Sequence, residues 1–134
     1  MLTLVSIINT INNAILARKS KVIIFKFNNF SLNVLKVLQE LNVIESFIID
    51  SSFTSCKIYL YTTNFFFNKI ICITKPSKFI YYSKNDLIKL RSLDLFNDYI
   101  LSIDNYKNKA IVTIDEAIRL NKGGLLLLKI IRNV

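Results

Sequence analysis

Flat and positively charged side chains lie close together in the last third of the sequence. Residues 104–109 include one tyrosine, two asparagines and two lysines. Cations pair with phosphates, aromatic rings stack on unpaired bases, and small polar groups reach 2′-hydroxyls, so this mixture is typical of RNA binding. The candidate RNA-binding residues of the segment are Tyr106, Lys107, Asn108 and Lys109. The alternative is that the segment is only the solvated tip of a hairpin.

A second segment of similar composition comes earlier in the chain. Residues 75–78 form a predicted turn with the only proline of the protein, and two adjacent tyrosines follow shortly after it. From this segment we take Lys75, Ser77 and Tyr81 as further candidates. If about five or six cations meet phosphates, affinity should fall with salt with a log–log slope of magnitude roughly 4–5.

The overall charge agrees with a polyanionic partner. Eighteen basic and nine acidic residues give a formal net charge of +9. This balance predicts attraction to nucleic acid or to an anionic membrane surface. Hydrophobic residues make up 52% of the chain, but no apolar run approaches the roughly 18 residues that span a bilayer. We therefore expect a soluble core rich in strands and no membrane partner.

The residue types needed for catalysis are scarce. The chain has no histidine, and Cys56 and Cys72 do not have the spacing of zinc ligands. No pair of carboxylates has a plausible acid–base arrangement, and the one pair of glycines follows a predicted helix instead of preceding it. The sequence predicts a protein that is not an enzyme and that takes no cofactor, metal or small-molecule substrate.

Hydrophobic periodicity predicts the elements of the first half. We expect a helix over 4–16, a strand over 21–27, a helix capped by Asn28 and Asn29 and ended by Asn42, and a hairpin of strands 43–50 and 56–62. The aromatic and polar segment 64–68 predicts a boundary. The chain is therefore divided into a sandwich-like α/β domain, 1–66, and a β-rich domain, 67–134.

The second half is predicted to contain more strands than helices. Strands are expected over 69–74 and 79–82, and Ser83 is expected to cap a helix over 84–90. An apolar segment ends near Ser102, a loop covers 104–109, and a second apolar run follows at 110–112. Thr113 caps a helix that ends near Asn121. Since the strands form hairpins, the predicted fold class is α+β.

The only two glycines, Gly123 and Gly124, are adjacent. We expect Gly123 to take the left-handed conformation that ends the preceding helix. A glycine pair also marks a place where backbone must fit closely against something, and we expect that partner to be RNA.

Five segments, in order along the chain, resemble the universal small-subunit ribosomal protein eight (S-eight) family. Residues 8–14 are similar to its helix-one pattern L-T-R-I-R-N-A, and Asn28 and Asn29 lie where the family has a polar pair before its second helix. Residues 37–44 resemble V-L-K-x-E-G-[FY]-I, and residues 75–81 resemble [KR]-P-G-x-R-I-Y. Residues 112–124 resemble the M-T…G-G segment with identical spacing. The resemblance covers essentially the whole chain.

The resemblance implies a two-domain α+β protein that binds the central domain of the small-subunit rRNA and supports assembly of the subunit. It implies neighbours among the small-subunit proteins, such as those of the fifth and seventeenth families. The rRNA contacts that it adds are Asn28, Asn29, Thr113, Gly123 and Gly124. A free RNA-binding regulator that represses a message through the same basic loop is the alternative function.

The chain departs from the family at its strongest signature, S-T-S-K-G. This motif aligns either with residues 102–104 or with residues 106–110. We prefer the second alignment, which keeps a lysine and the distance to Thr113, and we retain Ser102 as a further candidate. Both arginines of the helix-one pattern are replaced, by Thr10 and Asn12. Together with AT-rich coding bias and no evident presequence, these departures predict an organelle-encoded mitochondrial member, with a plastid member as the alternative.

Overall fold

The computed structural model describes residues 2–61, 67–105 and 108–132. Within these ranges the helices and strands follow the order predicted from the sequence, and both sheets contain antiparallel pairs. The predicted α+β class is therefore confirmed. The chain divides into two compact units with the boundary between Lys69 and Ile70. We call these the first unit and the second unit. None of the described helices has the length and apolarity needed to cross a membrane.

The first unit packs two helices with a three-stranded sheet. Its elements are α1 (Leu2–Leu16), β1 (Lys21–Ile24), α2 (Asn29–Glu40), β2 (Ser46–Ile49) and β3 (Cys56–Tyr59). β3 is central and pairs antiparallel with both neighbours, which gives the order β1-β3-β2. Apolar residues recur at helical spacing on α1 and α2, and alternate along β3. The buried residues they supply include Leu4, Ile7, Ile8, Ile11, Val34, Leu35, Leu38, Cys56 and Ile58.

Local hydrogen bonds fix both ends of α2. The side-chain oxygen of Asn28 accepts from the Ser31 N–H at 2.8 Å, and the Ser31 hydroxyl accepts from the Asn28 N–H at 2.9 Å. At the other end Asn42 has a φ of 61°, and the Val43 N–H donates to the Leu38 carbonyl at 2.9 Å. This is a left-handed cap. Since Val43 belongs to the cap, the predicted strand 43–50 is wrong at its start, and β2 begins at Ser46.

β1 ends at Ile24, earlier than predicted, because its partner strand ends there. Ile24 pairs with Cys56, the first residue of β3. Before Cys56, the carboxylate of Asp50 accepts from the Thr54 N–H at 2.8 Å and the Thr54 hydroxyl at 2.7 Å, which folds residues 50–55 into a loop. The hydrogen bond from the Thr54 side chain, followed by those from the Ser55 and Thr54 backbone, holds the pKa of Asp50 well below its usual range. Phe25 continues the apolar pattern of β1 but has no strand to pair with.

The second unit is built around a five-stranded sheet. Its elements are β4 (Phe67–Cys72), which crosses the boundary, β5 (Tyr81–Tyr82), α3 (Lys84–Leu93), β6 (Asp98–Asn105), β7 (Asn108–Thr113), α4 (Ile114–Arg119) and β8 (Gly124–Arg132). The strand order is β4-β8-β6-β7, and β5 also pairs with β8. The core cluster draws on both helices and the sheet, with Leu87, Tyr99, Leu101, Ile103, Ile114, Ala117 and Leu126.

Two predictions for this unit are wrong. Residues 104–109 were expected to form a loop, but β6 and β7 stay paired through Asp104 with Lys109 and Asn105 with Asn108. An antiparallel ladder is held by backbone hydrogen bonds, so it continues beyond the apolar residues that give the sequence signal. The left-handed residue after α4 is Asn121, with a φ of 58°, and neither glycine has a positive φ. Asparagine tolerates this conformation and replaces glycine as the helix terminator.

Candidate nucleic-acid interface

Strand register brings several predicted site residues to one end of the second sheet. Gly124 pairs with Tyr82 on one side and with Ile103 on the other. Tyr81 pairs with Leu125, and Ser102 also lies opposite Leu125 across the other edge of β8. We call this end, formed by Tyr81, Tyr82, Ser102, Ile103, Gly123 and Gly124, the glycine end.

The turn at residues 75–78 is attached to the same part of β8. Lys75 and Lys78 exchange backbone hydrogen bonds of 2.9 and 3.0 Å, which leaves Pro76 and Ser77 exposed between them. The buried hydroxyl of Thr74 donates to the Leu126 carbonyl at 2.7 Å. Since Leu126 is only two residues beyond Gly124, this bond holds the turn about 7 Å along the strand from the glycine end.

The two glycines are required by close approach of the protein's own backbone. A Cβ at Gly123 would lie 2.4 Å from the Tyr82 carbonyl oxygen, and one at Gly124 would lie 2.2 Å from the Ser102 carbonyl oxygen. Any side chain at either position would therefore force the strands apart. Close backbone approach was predicted, and the partner seen here is β5 and β6. Contact of these glycines with rRNA stays a prediction.

The remaining candidates of the second unit lie in different settings. Ser102 is buried, with 6% of its surface exposed. Thr113 pairs with Ile100, three residues along β6 from the partner of Gly124, so it lies roughly 10 Å from the glycine end. Its hydroxyl caps α4 by accepting from the Glu116 N–H at 3.3 Å. The motif that joins Thr113 to the glycines in sequence therefore spans the sheet instead of forming one surface.

Asn28 and Asn29 belong to the first unit, where both are exposed at the start of α2. The side-chain oxygen of Asn28 is already used as the helix cap. Tyr106 and Lys107 lie outside the described residues. Asn108 and Lys109 begin β7, and only their backbone is described. These assignments to rRNA binding stay predictions.

Ion pairs determine which cations of the second unit are available to a ligand. Arg91 pairs with Asp115 at 3.0 Å, Lys129 lies 3.8 Å from Asp94, Arg119 pairs with Glu116, and Arg132 pairs with Asp98. Each of these four cations therefore has a carboxylate partner within the fold. By contrast, four exposed lysines have no ion pair in the described part of the unit: Lys75, Lys78, Lys84 and Lys89.

Asp94 is the centre of the most connected of these networks. Its carboxylate accepts from the Tyr99 hydroxyl at 2.7 Å and from the side-chain amide of Asn97 at 3.0 Å. Partial burial alone would raise the pKa of Asp94, but hydrogen bonds from Tyr99, Asn97 and Phe96 outweigh it and lower the pKa to about 2. Burial, and then the hydrogen bond to Asp94, raise the pKa of Tyr99 above its ordinary value. The network serves the fold: it ties the end of α3 to β6 and β8.

A shallow pocket beside the glycine end was not found from the sequence. It has a volume of about 280 Å³ and lies between β5 and α3, lined by Tyr81, Tyr82, Asp86, Lys89, Leu90 and Leu93. The Asp86 carboxylate in this lining already accepts a hydrogen bond from the Ser83 N–H at 3.2 Å. Tyr81 keeps 67% of its surface exposed. A flat ring beside a cation suits a stacked base and its phosphate. The sequence could have identified Lys84 and Lys89 as candidate contacts. Both lie on a helix in which Leu87 is the buried residue, so most of its side chains face solvent.

The described residues offer no metal site and no reactive thiolate. No group of histidine, cysteine or acidic side chains among them is arranged to hold a metal ion. Burial raises the pKa of the thiols of Cys56 and Cys72, which disfavours the reactive thiolate.

Comparison with known proteins identifies the family. No curated protein matched the chain in a direct sequence comparison. The family model described as Ribosomal protein S8 matches residues 3–131, which is nearly the whole chain. That family consists of structural ribosomal proteins that bind rRNA and is not an enzyme family. The match covers residues of both units, and the chain therefore belongs to the ribosomal protein S8 family.

Proposed function

We propose that this protein is a structural constituent of the small ribosomal subunit, where it binds the central domain of the rRNA and supports assembly. The observation that carries the proposal is the grouping of Tyr81, the turn at residues 75–78 and the lysines of α3 around the glycine end. This grouping adds a surface of the right chemistry to membership of a family of rRNA-binding proteins.

The proposed contacts divide by chemistry. Lys75, Lys78, Lys84 and Lys89 meet phosphates, because none of them forms an ion pair with a described carboxylate. Hydrogen bonds from Ser83 lower the pKa of the nearby Asp86 carboxylate, and the charge of Lys89 adds to this effect. Tyr81 stacks on a base next to the pocket between β5 and α3. Ser77 is exposed in the turn and can reach a sugar or phosphate oxygen. We also propose rRNA contacts by Tyr106, Lys107 and Lys109, on the grounds of their residue types.

The organelle and the neighbouring proteins are proposed from composition and family membership. Composition and the loss of two arginines from the helix-one pattern support a mitochondrial ribosome, with a plastid ribosome as the alternative. Neighbours of the fifth and seventeenth families follow from membership of the family alone.

Cosedimentation and footprinting test the function. The tagged full-length protein should be recovered with small subunits from purified mitochondria at low salt. Chemical footprints of the rRNA with and without the protein should differ in the central domain. Recovery only in ribosome-free fractions would contradict the proposal. Crosslinking that enriches a message over rRNA would instead favour a regulator of translation.

A variant pair tests the contact surface itself. Replacing Tyr81 with Ala removes a stacking ring worth about 1–3 kcal/mol, so affinity for the rRNA fragment should fall roughly 5- to 150-fold. Tyr81→Phe keeps the ring and should bind nearly as well as the native chain. Equal affinity of Tyr81→Ala and the native chain would remove Tyr81 from the site.

A further inference from the structure

The strand β1 lies at one edge of the described sheet of the first unit. β1 pairs with β3 on one side, and no described strand lies on its other side. The Leu60 N–H donates to the Ser20 carbonyl at 2.8 Å, which makes Ser20 and Leu60 a hydrogen-bonded pair. Hydrogen-bonded and non-bonded pairs alternate along an antiparallel ladder. Val22 and Ile24 therefore point their backbone groups toward β3, and Lys21 and Ile23 point theirs away from it.

A groove runs along this edge, with α1 as its second wall. One cavity of about 490 Å³ is lined by Thr10, Asn13, Lys21 and Ile23, among others. A second cavity of about 260 Å³ shares Thr10 and Ile23 and continues to Ser6 and Phe25. Because the two cavities share residues, they form one trough. It follows α1 from Ser6 to Asn13, roughly 10 Å, which is the length of about three extended residues.

The groove is electropositive. The first 39 residues contain five basic residues, Arg18, Lys19, Lys21, Lys26 and Lys36, and no acidic residue. Lys19, Lys21 and Lys26 line the trough and are exposed. No ion pair with them occurs among the described residues. An occupant therefore meets positive charge at both ends of the trough.

The edge itself distinguishes between polyanions. Lys21 and Ile23 each present one N–H donor and one C=O acceptor, and an extended peptide matches this alternation with its own backbone. Phosphate oxygens only accept hydrogen bonds, so the phosphates that carry the charge of an RNA leave the two carbonyls unpaired, and only its 2′-hydroxyls or base N–H groups can donate to them. Phe25, which is 74% exposed, and the half-exposed Ile23 add apolar surface that an alternating peptide side chain can cover.

We propose that β1 and α1 form a docking groove for an extended, acidic segment of another protein, which joins the first sheet as a strand beside β1. The inference rests on the first unit alone and does not depend on rRNA binding by the second unit.

The test uses the full-length, isotopically labelled protein and a defined probe. The probe is an eight-residue peptide of alternating glutamate and valine with blocked ends. Titration should shift the amide signals of Lys21, Ile23 and the facing residues of α1, and should leave those of α2 unchanged. No binding at millimolar probe, or shifts that avoid β1, would overturn the proposal.

Two matched comparisons test the strand geometry. Methylating alternate backbone nitrogens of the probe removes its donors, and this should weaken binding at least tenfold. In the protein, Ile23→Pro removes an N–H that points away from β3, whereas Ile23→Thr keeps it. The proline variant should bind the probe at least tenfold more weakly than the threonine variant. If the proline variant misfolds, the methylated probe still decides the question on the native chain.

An RNA control separates the other class of partner. A single-stranded oligouridine with the same net charge as the peptide should bind this groove no better than the methylated probe. If the oligonucleotide shifts the β1 amides and outcompetes the peptide, the groove is a nucleic-acid site and the proposal is wrong.

Discussion

At the residue scale, the glycine pair shows how one sequence feature can have two explanations. Adjacent glycines predicted close backbone approach, and the approach occurs. The predicted left-handed conformation of Gly123 was wrong, because Asn121, two residues earlier, takes that conformation instead. A single sequence reports that a Cβ is excluded but not which atom excludes it, so internal packing and a ligand look the same until the fold is known.

Replacing Gly124 with Ala should destabilise the second unit. The added Cβ meets a backbone carbonyl inside the sheet, which cannot move aside without breaking strand pairs. The free energy of unfolding should fall by about 1–3 kcal/mol. Urea unfolding followed by the amide signals of β8 measures it. Asn121→Gly is the control and should stay within about 1 kcal/mol of the native chain. Unchanged stability of Gly124→Ala with weakened RNA binding would assign the glycine to RNA instead.

The Asp94 network predicts a defined acid response. Because the pKa of Asp94 is lowered to about 2 in the folded state, its stabilisation is complete above its ordinary pKa and is lost as the pH falls toward 2. Asp94→Asn should lower the free energy of unfolding by about 1–3 kcal/mol at neutral pH. It should also flatten the dependence of stability on pH between about 4 and 2. An unchanged acid profile in this variant would exclude Asp94 as the source.

At the element scale, the sequence predicted what depends on neighbours along the chain. Helix starts at Asn28, Ser83 and Thr113 were predicted correctly, because a cap is made by residues three positions apart. Strand ends were less accurate. β1 stops at Ile24 and β6 continues to Asn105 because each strand lasts as long as its partner does. That information lies in distant residues, such as Asp50 and Thr54, whose hydrogen bonds close the loop before β3.

The cap of α2 separates a structural role from a binding role at Asn28. Asn28→Ala removes the acceptor for the Ser31 N–H and should lower stability by about 0.5–2 kcal/mol, measured by chemical unfolding. Asn28→Asp and Asn28→Ser keep an acceptor and should be nearly as stable as the native chain. If both retain stability but lose affinity for rRNA, the amide nitrogen of Asn28 contacts RNA. If all three variants match the native chain in stability, the cap contributes nothing.

At the scale of the whole molecule, positive charge is distributed unevenly. Every described carboxylate of the second unit either caps a helix or pairs with a cation, and the paired cations lie mainly along α3, α4 and β8. The lysines without ion pairs are near the glycine end. The sequence indicated Lys75 and Tyr81 as contacts there, but it grouped Thr113 with them and did not point to Lys84 and Lys89. Which cations are neutralised depends on contacts such as Arg91 with Asp115, 24 positions apart, that no local pattern reveals.

The salt dependence of rRNA binding tests this distribution. Lys75, Lys78, Lys84 and Lys89, with the predicted contacts Lys107 and Lys109, predict a log–log slope of magnitude roughly 4–5. Lys75→Gln should reduce that magnitude by about 0.7–0.9 in filter-binding titrations. Lys36→Gln, an exposed substitution on α2 of the first unit, is the control and should leave the slope unchanged. Equal effects of the two substitutions would mean that attraction is diffuse and that no particular surface binds the phosphates.

The edge of β1 that has no described neighbour also affects the solubility of the protein before it binds its partners. An unpaired strand edge is a template on which a second copy can add, which leads to aggregation. Lys21 within β1, and Lys19 and Lys26 beside it, oppose this by mutual repulsion between copies that each carry a net charge of +9. Screening by salt weakens such repulsion. The isolated protein should therefore be most soluble at low ionic strength and should self-associate as salt is raised, unlike proteins whose sheets are closed.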